Sequence, residues 1–210
     1  MALEISWFGR TSFRLRGRQG TVITDPVPAD SGYKLGKVTA DVVTLSQKDE
    51  PAYGNASLVG GDPRVLDAPG EYEVGGVLVT AIPLPLPEGR RNMAYLFEIE
   101  GIRICQLGAI APGEKPSLPE ELEDVDVLLM PVGDGPTLTA EQAADLMTRI
   151  DPSVIIPMLY KTEQERMELD SLDRFLSETG SKPEPQAKFT TTKAGLPSAL
   201  TVVVLQPRTG

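Results

Sequence analysis

The sequence predicts a layered α/β sandwich rather than a doubly wound parallel sheet, and three observations carry that expectation. The first two-thirds of the 210 residues read as short apolar runs divided by Gly, Pro and Asp turns. Helical spacing enters only late, beyond residue 139. Strands gathered first and helices inserted afterwards make a segregated order, not the strict alternation of a doubly wound fold. A length of 210 residues with 40% hydrophobic and 24% charged residues suits one globular domain, taken as residues 1–210.

The elements follow in order. Residues 3–8 form an apolar run, 12–16 alternate Phe13 and Leu15 against polar neighbours, and 21–24 make a third strand. Strands are then expected at 41–45, 64–67, 71–74, 77–82, 93–98, 102–105 and 125–130. Gly75-Gly76 and Glu100-Gly101 stand where hairpin turns want glycine, so the pattern reads as a mostly antiparallel meander. The P-L-P-L-P stretch at 83–87 is expected to be an extended loop, because proline donates no ladder hydrogen bond. Thr139 and Gln142 make a capping box for a helix that Pro152 closes. Thr162 and Glu165 read as the cap of a second helix carrying Leu169, Leu172, Phe175 and Leu176 and stopping at Gly180. Between them 154–157 is a buried strand, 180–186 is a polar connection, and 199–205 is the last strand.

Composition removes several function classes. Thirty acidic against 20 basic residues give a net charge of −10, which disfavours nucleic acid and anionic membrane surfaces as partners. Arg10, Arg14, Arg16 and Arg18 form a local exception that would suit an acidic partner or an anionic ligand. Cys105 is the single cysteine, so no intrachain disulfide forms, and its place at the end of an apolar strand fits a buried thiol. The N-terminal stretch has no signal-peptide pattern and no segment has membrane-spanning length, so the cytoplasm is the expected location. Histidine is absent. That weakens every mechanism that leans on imidazole, from zinc hydrolases to Ser-His and Cys-His nucleophiles.

Several stretches in register resemble the metallo-β-lactamase superfamily, closest to its ascorbate-phosphate lactonase-like branch of small bacterial proteins. They are W-F-G-R-T-S-F-R-L-R-G at 7–17, T-D-P at 24–26, A-D-V-V-T-L-S at 40–46 and P-G-E-Y-E-V-G-G-V at 69–77. N-M-A-Y-L-F-E-I-E-G-I-R-I-C at 92–105, D-V-D-V-L-L-M-P-V-G at 124–133 and I-I-P-M-L-Y-K-T at 155–162 complete the set. The resemblance implies a four-layer αββα sandwich, two mixed sheets flanked by helices, with zinc held at one edge. In the family S-H-x-H-x-D-H, a later histidine, a bridging aspartate and a P-M-H-Y histidine supply the ligands. These hold metal ions that generate hydroxide near neutral pH.

Carried onto this chain, that pattern puts Gln47 and Asp49 at the first two histidines, Pro51 at the aspartate and Ala52 at the third histidine. Leu86 falls at the later histidine, Ala109 at the bridging aspartate, Gln106 at a frequent histidine and Leu159 at the last one; Arg10 replaces an early glycine-following histidine. These are vestigial positions, and no cofactor is expected. Asp25, Asp67, Glu71 and Asp134 are the oxygen ligands left for a hard cation, though turn-orienting roles suit them better. Three readings stay open: a non-catalytic member that binds a protein partner or assembles, a hydrolase with a rearranged carboxylate site, and a small-anion module using Arg10, Gln47 and Gln106. Homo-oligomerisation follows from the resemblance only.

Overall fold

In a computed structural model, residues 2–86, 89–110 and 122–208 are described. Two mixed sheets face each other. The first has strand order β12-β1-β2-β3-β4-β5, built from β1 (Leu3–Gly9), β2 (Ser12–Arg16), β3 (Thr21–Thr24), β4 (Val42–Thr44), β5 (Arg64–Leu66) and β12 (Phe189–Thr191). The second runs β13-β11-β10-β9-β8-β7-β6, from β6 (Gly70–Val74), β7 (Val77–Pro85), β8 (Arg91–Ile99), β9 (Ile102–Gln106), β10 (Val127–Pro131), β11 (Val154–Met158) and β13 (Thr201–Val202). Helices α1 (Ala140–Ile150) and α2 (Leu172–Thr179) pack on each other. Among the described residues, no helix is long and apolar enough to cross a membrane.

The expected meander holds for β6–β9, but "mostly antiparallel" does not. Strands β3, β4 and β5 are parallel, and so are β9, β10, β11 and β13. Strands β10 and β11 are buried at every residue, as parallel strands covered on both faces must be. Helix α1 crosses over between them and turns Ala143, Leu146 and Ile150 into the main core. Its capping box forms as read: Gln142 N donates to Thr139 Oγ1 at 3.2 Å and Thr139 N to Gln142 Oε1 at 3.1 Å.

Period-two alternation assigns each face of the first sheet. Trp7, Val22 and Val42 enter the core between the sheets, where Trp7 stacks on Phe13 with ring centroids 6.3 Å apart. Their neighbours Phe8, Ile23 and Val43 point outward into a second cluster with Val27, Tyr33, Leu35 and Val59. The outer layer here comes from the long segments after β3 and β4, and no residue of α1 or α2 enters that cluster.

Three expectations need correcting. Pro83 and Pro85 lie inside β7, paired with Met93 and Arg91. Strand β6 ends its pairing at Gly70↔Ala81, so beyond that point β7 has no neighbour on its other side. Leu86 N donates to Arg90 O at 3.0 Å, which by alternation turns the proline nitrogens to the open edge, where no N–H is required. Pro87 lies outside the described residues. The second helix begins at Leu172 after Ser171, not after Thr162, and Glu165 caps nothing. The final strand is shorter than 199–205, and β12, which short polar-flanked Phe189 did not announce, closes the first sheet against β1.

Candidate functional site

The C-terminal ends of the parallel strands β3, β4, β9, β10 and β11 open onto one edge of the sandwich, the usual position for a site in sheets of this kind. Non-glycine residues with left-handed backbones gather at this edge, among them Arg10 (φ 49°), Asp25 (φ 37°) and Leu159 (φ 51°). A bulky aliphatic residue in that conformation is a steric outlier, so the surrounding structure must impose it. Leu159 N donates to Arg10 O at 3.3 Å, tying two of these positions together.

Asp25, at the exit of β3, is buried to 1% exposure. It accepts from Ser46 N at 2.6 Å, Ser46 Oγ at 2.8 Å and Gln106 Nε2 at 2.8 Å. Its role in orienting a turn and capping an N–H is the one expected of it. Burial pushes its carboxyl up to about 6, and the Ser46 and Gln106 hydrogen bonds offset part of that rise. Gln106 also donates to Thr11 O at 2.9 Å, while its Oε1 is buried without a partner.

Gln47 Nε2 donates to Ala109 O at 3.1 Å and to Asn92 Oδ1 at 3.4 Å, and Asn92 Nδ2 donates to Leu107 O at 2.7 Å. This fit needs glycine at 108: its φ is +65°, and a Cβ there would collide with Asn92 Oδ1 and the Ser46 side chain.

Arg10 turns inward rather than joining the other arginines of its hairpin. It is 6% exposed and its guanidinium meets Glu165, 4% exposed, with Nη2 to Oε1 at 3.0 Å and Nε to Oε1 at 3.2 Å. Its Nη1 donates to Ala52 O at 2.8 Å. Glu165 also accepts from Met167 N at 2.8 Å, and Lys161 Nζ binds the Glu165 carbonyl at 2.9 Å. Sequence reasoning missed Glu165 as part of this edge, since the T-x-x-E spacing read as a cap; only the distant Arg10 reveals its use.

The remaining positions divide. Leu159 is fully buried, Ala109 is 1% exposed and Leu86 8%, so three positions of the resemblance are filled by apolar side chains. Ala52 is half-buried and Pro51 exposed in a single 3-10 turn. Asp49 is exposed and lines a pocket of about 440 Å³ with Gln47, Lys48, Glu50, Arg90 and Arg91. Arg10, Gln47 and Gln106 share no hydrogen-bond partner among the described residues. Asp67 pairs weakly with Lys48 at 3.8 Å, Glu71 is exposed on β6, and Asp134 accepts from Gly135 N in a turn. Among the described residues, no three Asp, Glu or Cys side chains lie close enough to hold one metal ion. The donor set therefore does not fit the zinc that the fold implies: no imidazole, one exposed carboxylate and one amide stand where about three or four ligands are needed. Cys105 is buried and its thiol is pushed up to about 12, which leaves it without nucleophilic character near neutral pH.

Two facing mixed sheets with a site edge at the parallel strand exits define an α/β sandwich of the metallo-β-lactamase type. A family model for the β-lactamase superfamily domain matches residues 4–159, and the chain belongs to that superfamily. Among its relatives are UPF0173 proteins of Pyrococcus furiosus, 28% identical over 78% of this chain and 86% of theirs, and of Pyrococcus abyssi, 25% identical over 76% and 84%. A solved structure from Thermotoga maritima, described as a candidate Zn-dependent hydrolase of the metallo-β-lactamase superfamily, aligns with TM-score 0.80. It is 32% identical, over 97% of this chain and all of that one. A metallo hydrolase of Ignicoccus hospitalis shares the fold at TM-score 0.64 and 16% identity, over 96% of this chain and 95% of that one.

Proposed function

We propose that this protein keeps the metallo-β-lactamase sandwich without its hydrolytic metal centre and acts by binding or assembly rather than by hydrolysis. The observation that carries the reading is Leu159. A fully buried leucine held at φ 51° occupies the last ligand position of the resemblance, in a backbone conformation that leucine itself does not favour. Such a conformation makes sense as an inherited backbone whose side chain has changed from ligand to filler. Arg10 at φ 49° repeats the pattern, its guanidinium neutralised by Glu165 instead of standing near a cation. Asp25 supports the reading too, because it spends its oxygens on Ser46 and Gln106.

The test is metal content by mass spectrometry on protein purified without chelator, then repeated after dialysis against Zn²⁺ and Mn²⁺. Occupancy below about 0.1 metal per chain, with no rise in melting temperature on adding ions, is the expected result, since a metal bound to the folded state would stabilise it. Near-stoichiometric metal that survives dialysis sinks the reading and returns the carboxylate hydrolase. A sevenfold variant, with Gln47→His, Asp49→His, Pro51→Asp, Ala52→His, Leu86→His, Ala109→Asp and Leu159→His, rebuilds the family pattern and serves as the positive control for zinc uptake.

A further inference from the structure

The outer face of the first sheet carries a second polar concavity, remote from the strand exits. Its pocket of about 480 Å³ lies beside Arg14 and Arg16 of β2 and Thr21 at the start of β3, and it reaches Lys34, Lys37 and Arg208. Five of the chain's 20 cationic residues line it and no carboxylate does, in a protein whose net charge is −10. Like charges gathered in one concavity repel each other, and nothing in the lining offsets them.

The cations are set in place by the fold. Period two on β2 turns Phe13 and Leu15 into the core and leaves Arg14 and Arg16 on the outer face. Lys34 lies between the buried residues Tyr33 and Leu35, so the segment that carries it is anchored on both sides. Arg208 is fixed through its backbone, whose N donates to Trp7 O at 2.8 Å, and its guanidinium lies 5.5 Å from the Phe8 ring centroid. Arg14 Nη2 donates to Glu4 Oε1 at 2.9 Å, but Arg14 Nε is buried with no acceptor. Arg16, Lys34, Lys37 and Arg208 make no ion pair among the described residues.

We infer that this basic pocket binds a small soluble ligand with at least two anionic groups of the phosphate-ester or pyrophosphate class. Several cations converging on one volume match distributed negative charge better than a single carboxylate would, and guanidinium forks are suited to phosphate oxygens. The volume falls in the range of small-molecule sites, whereas a duplex or a membrane surface would want a broad basic face that this acidic chain lacks. The site does not depend on the state of the strand-exit cleft.

The experiment is calorimetric titration of the full chain with inorganic pyrophosphate, with inorganic phosphate for comparison, at low and moderate salt. Saturable one-to-one binding is expected, tighter for pyrophosphate and weakening as salt rises. Arg16→Glu combined with Lys37→Glu, two exposed positions whose folding is checked by circular dichroism, should weaken binding by about tenfold or more. Arg90→Glu combined with Arg91→Glu, beside the cleft, should leave it within about twofold. Absence of saturable binding overturns the inference, as does loss of binding in the cleft variant but not in the pocket variant. Tighter retention on phosphatidylserine vesicles or on duplex DNA than on pyrophosphate overturns it in favour of a surface partner.

Discussion

The strand-exit cleft and the basic pocket hold opposite kinds of polar group. In the floor of the cleft, polar groups are buried and mostly spoken for: Arg10 meets Glu165, Asp25 accepts from Ser46 and Gln106, and Gln47 is tied to Ala109 and Asn92. In the outer pocket, four of the five cations are exposed and make no ion pair among the described residues. Buried charge is tolerated only when paired, so the first region is organised for stability. Unpaired charge at a surface concavity is tolerated because water solvates it, and that leaves it available to a ligand. The contrast separates polar residues that hold this fold from polar residues that can still recognise something.

The comparison breaks first at Arg10 and Glu165. Glu165→Ala should lower unfolding stability by about 3–5 kcal/mol in urea titrations, because it strands a buried guanidinium. Combining it with Arg10→Met should recover much of that loss; a double variant as unstable as the sum of the singles would show that the two groups act separately. Leu159→Ala should cost about 2–5 kcal/mol through the cavity it opens. A loss below about 0.5 kcal/mol there would mean the side chain is not packed filler.

Asp25 offers a pH test. Its folded value of about 6 lies above the ordinary 3.8, so the stability tied to its protonated form is complete below 3.8 and is lost as pH rises through about 6. That shift corresponds to about 3 kcal/mol. Asp25→Asn should remove this slope, so the stability difference between variant and parent should change over that pH window and stay constant above it. Parallel curves would place the carboxyl in a more hydrated setting. At the small end, Lys48→Ala removes an exposed 3.8 Å pair with Asp67 and should change stability by less than about 0.5 kcal/mol.

Much of this was legible in the order of residues. Period-two runs located most strands, because alternation is a local property of a half-covered sheet. The capping box at Thr139 was readable because its partners lie three residues apart. The T-x-x-E at 162–165 shows the limit of the same logic: the local spacing is that of a cap, but a buried Arg10 offers Glu165 a stronger partner 155 residues away. Pro83 and Pro85 likewise read as loop until the sheet order shows that β6 stops short beside them.

The absence of imidazole, the acidic balance and the identity of the residue at each position where the resemblance expects a ligand belong to the sequence by itself, since they are matters of composition and order. Which charges become paired and which stay open was decided only by the tertiary structure. Arg10 and Arg16 stand six residues apart on one hairpin, yet one is neutralised in the interior and the other, unpaired among the described residues, stands in a basic pocket shared with Lys34, Lys37 and Arg208. A side chain's charge state and partner depend on what distant segments bring within a few ångströms, and local periodicity carries no information about that.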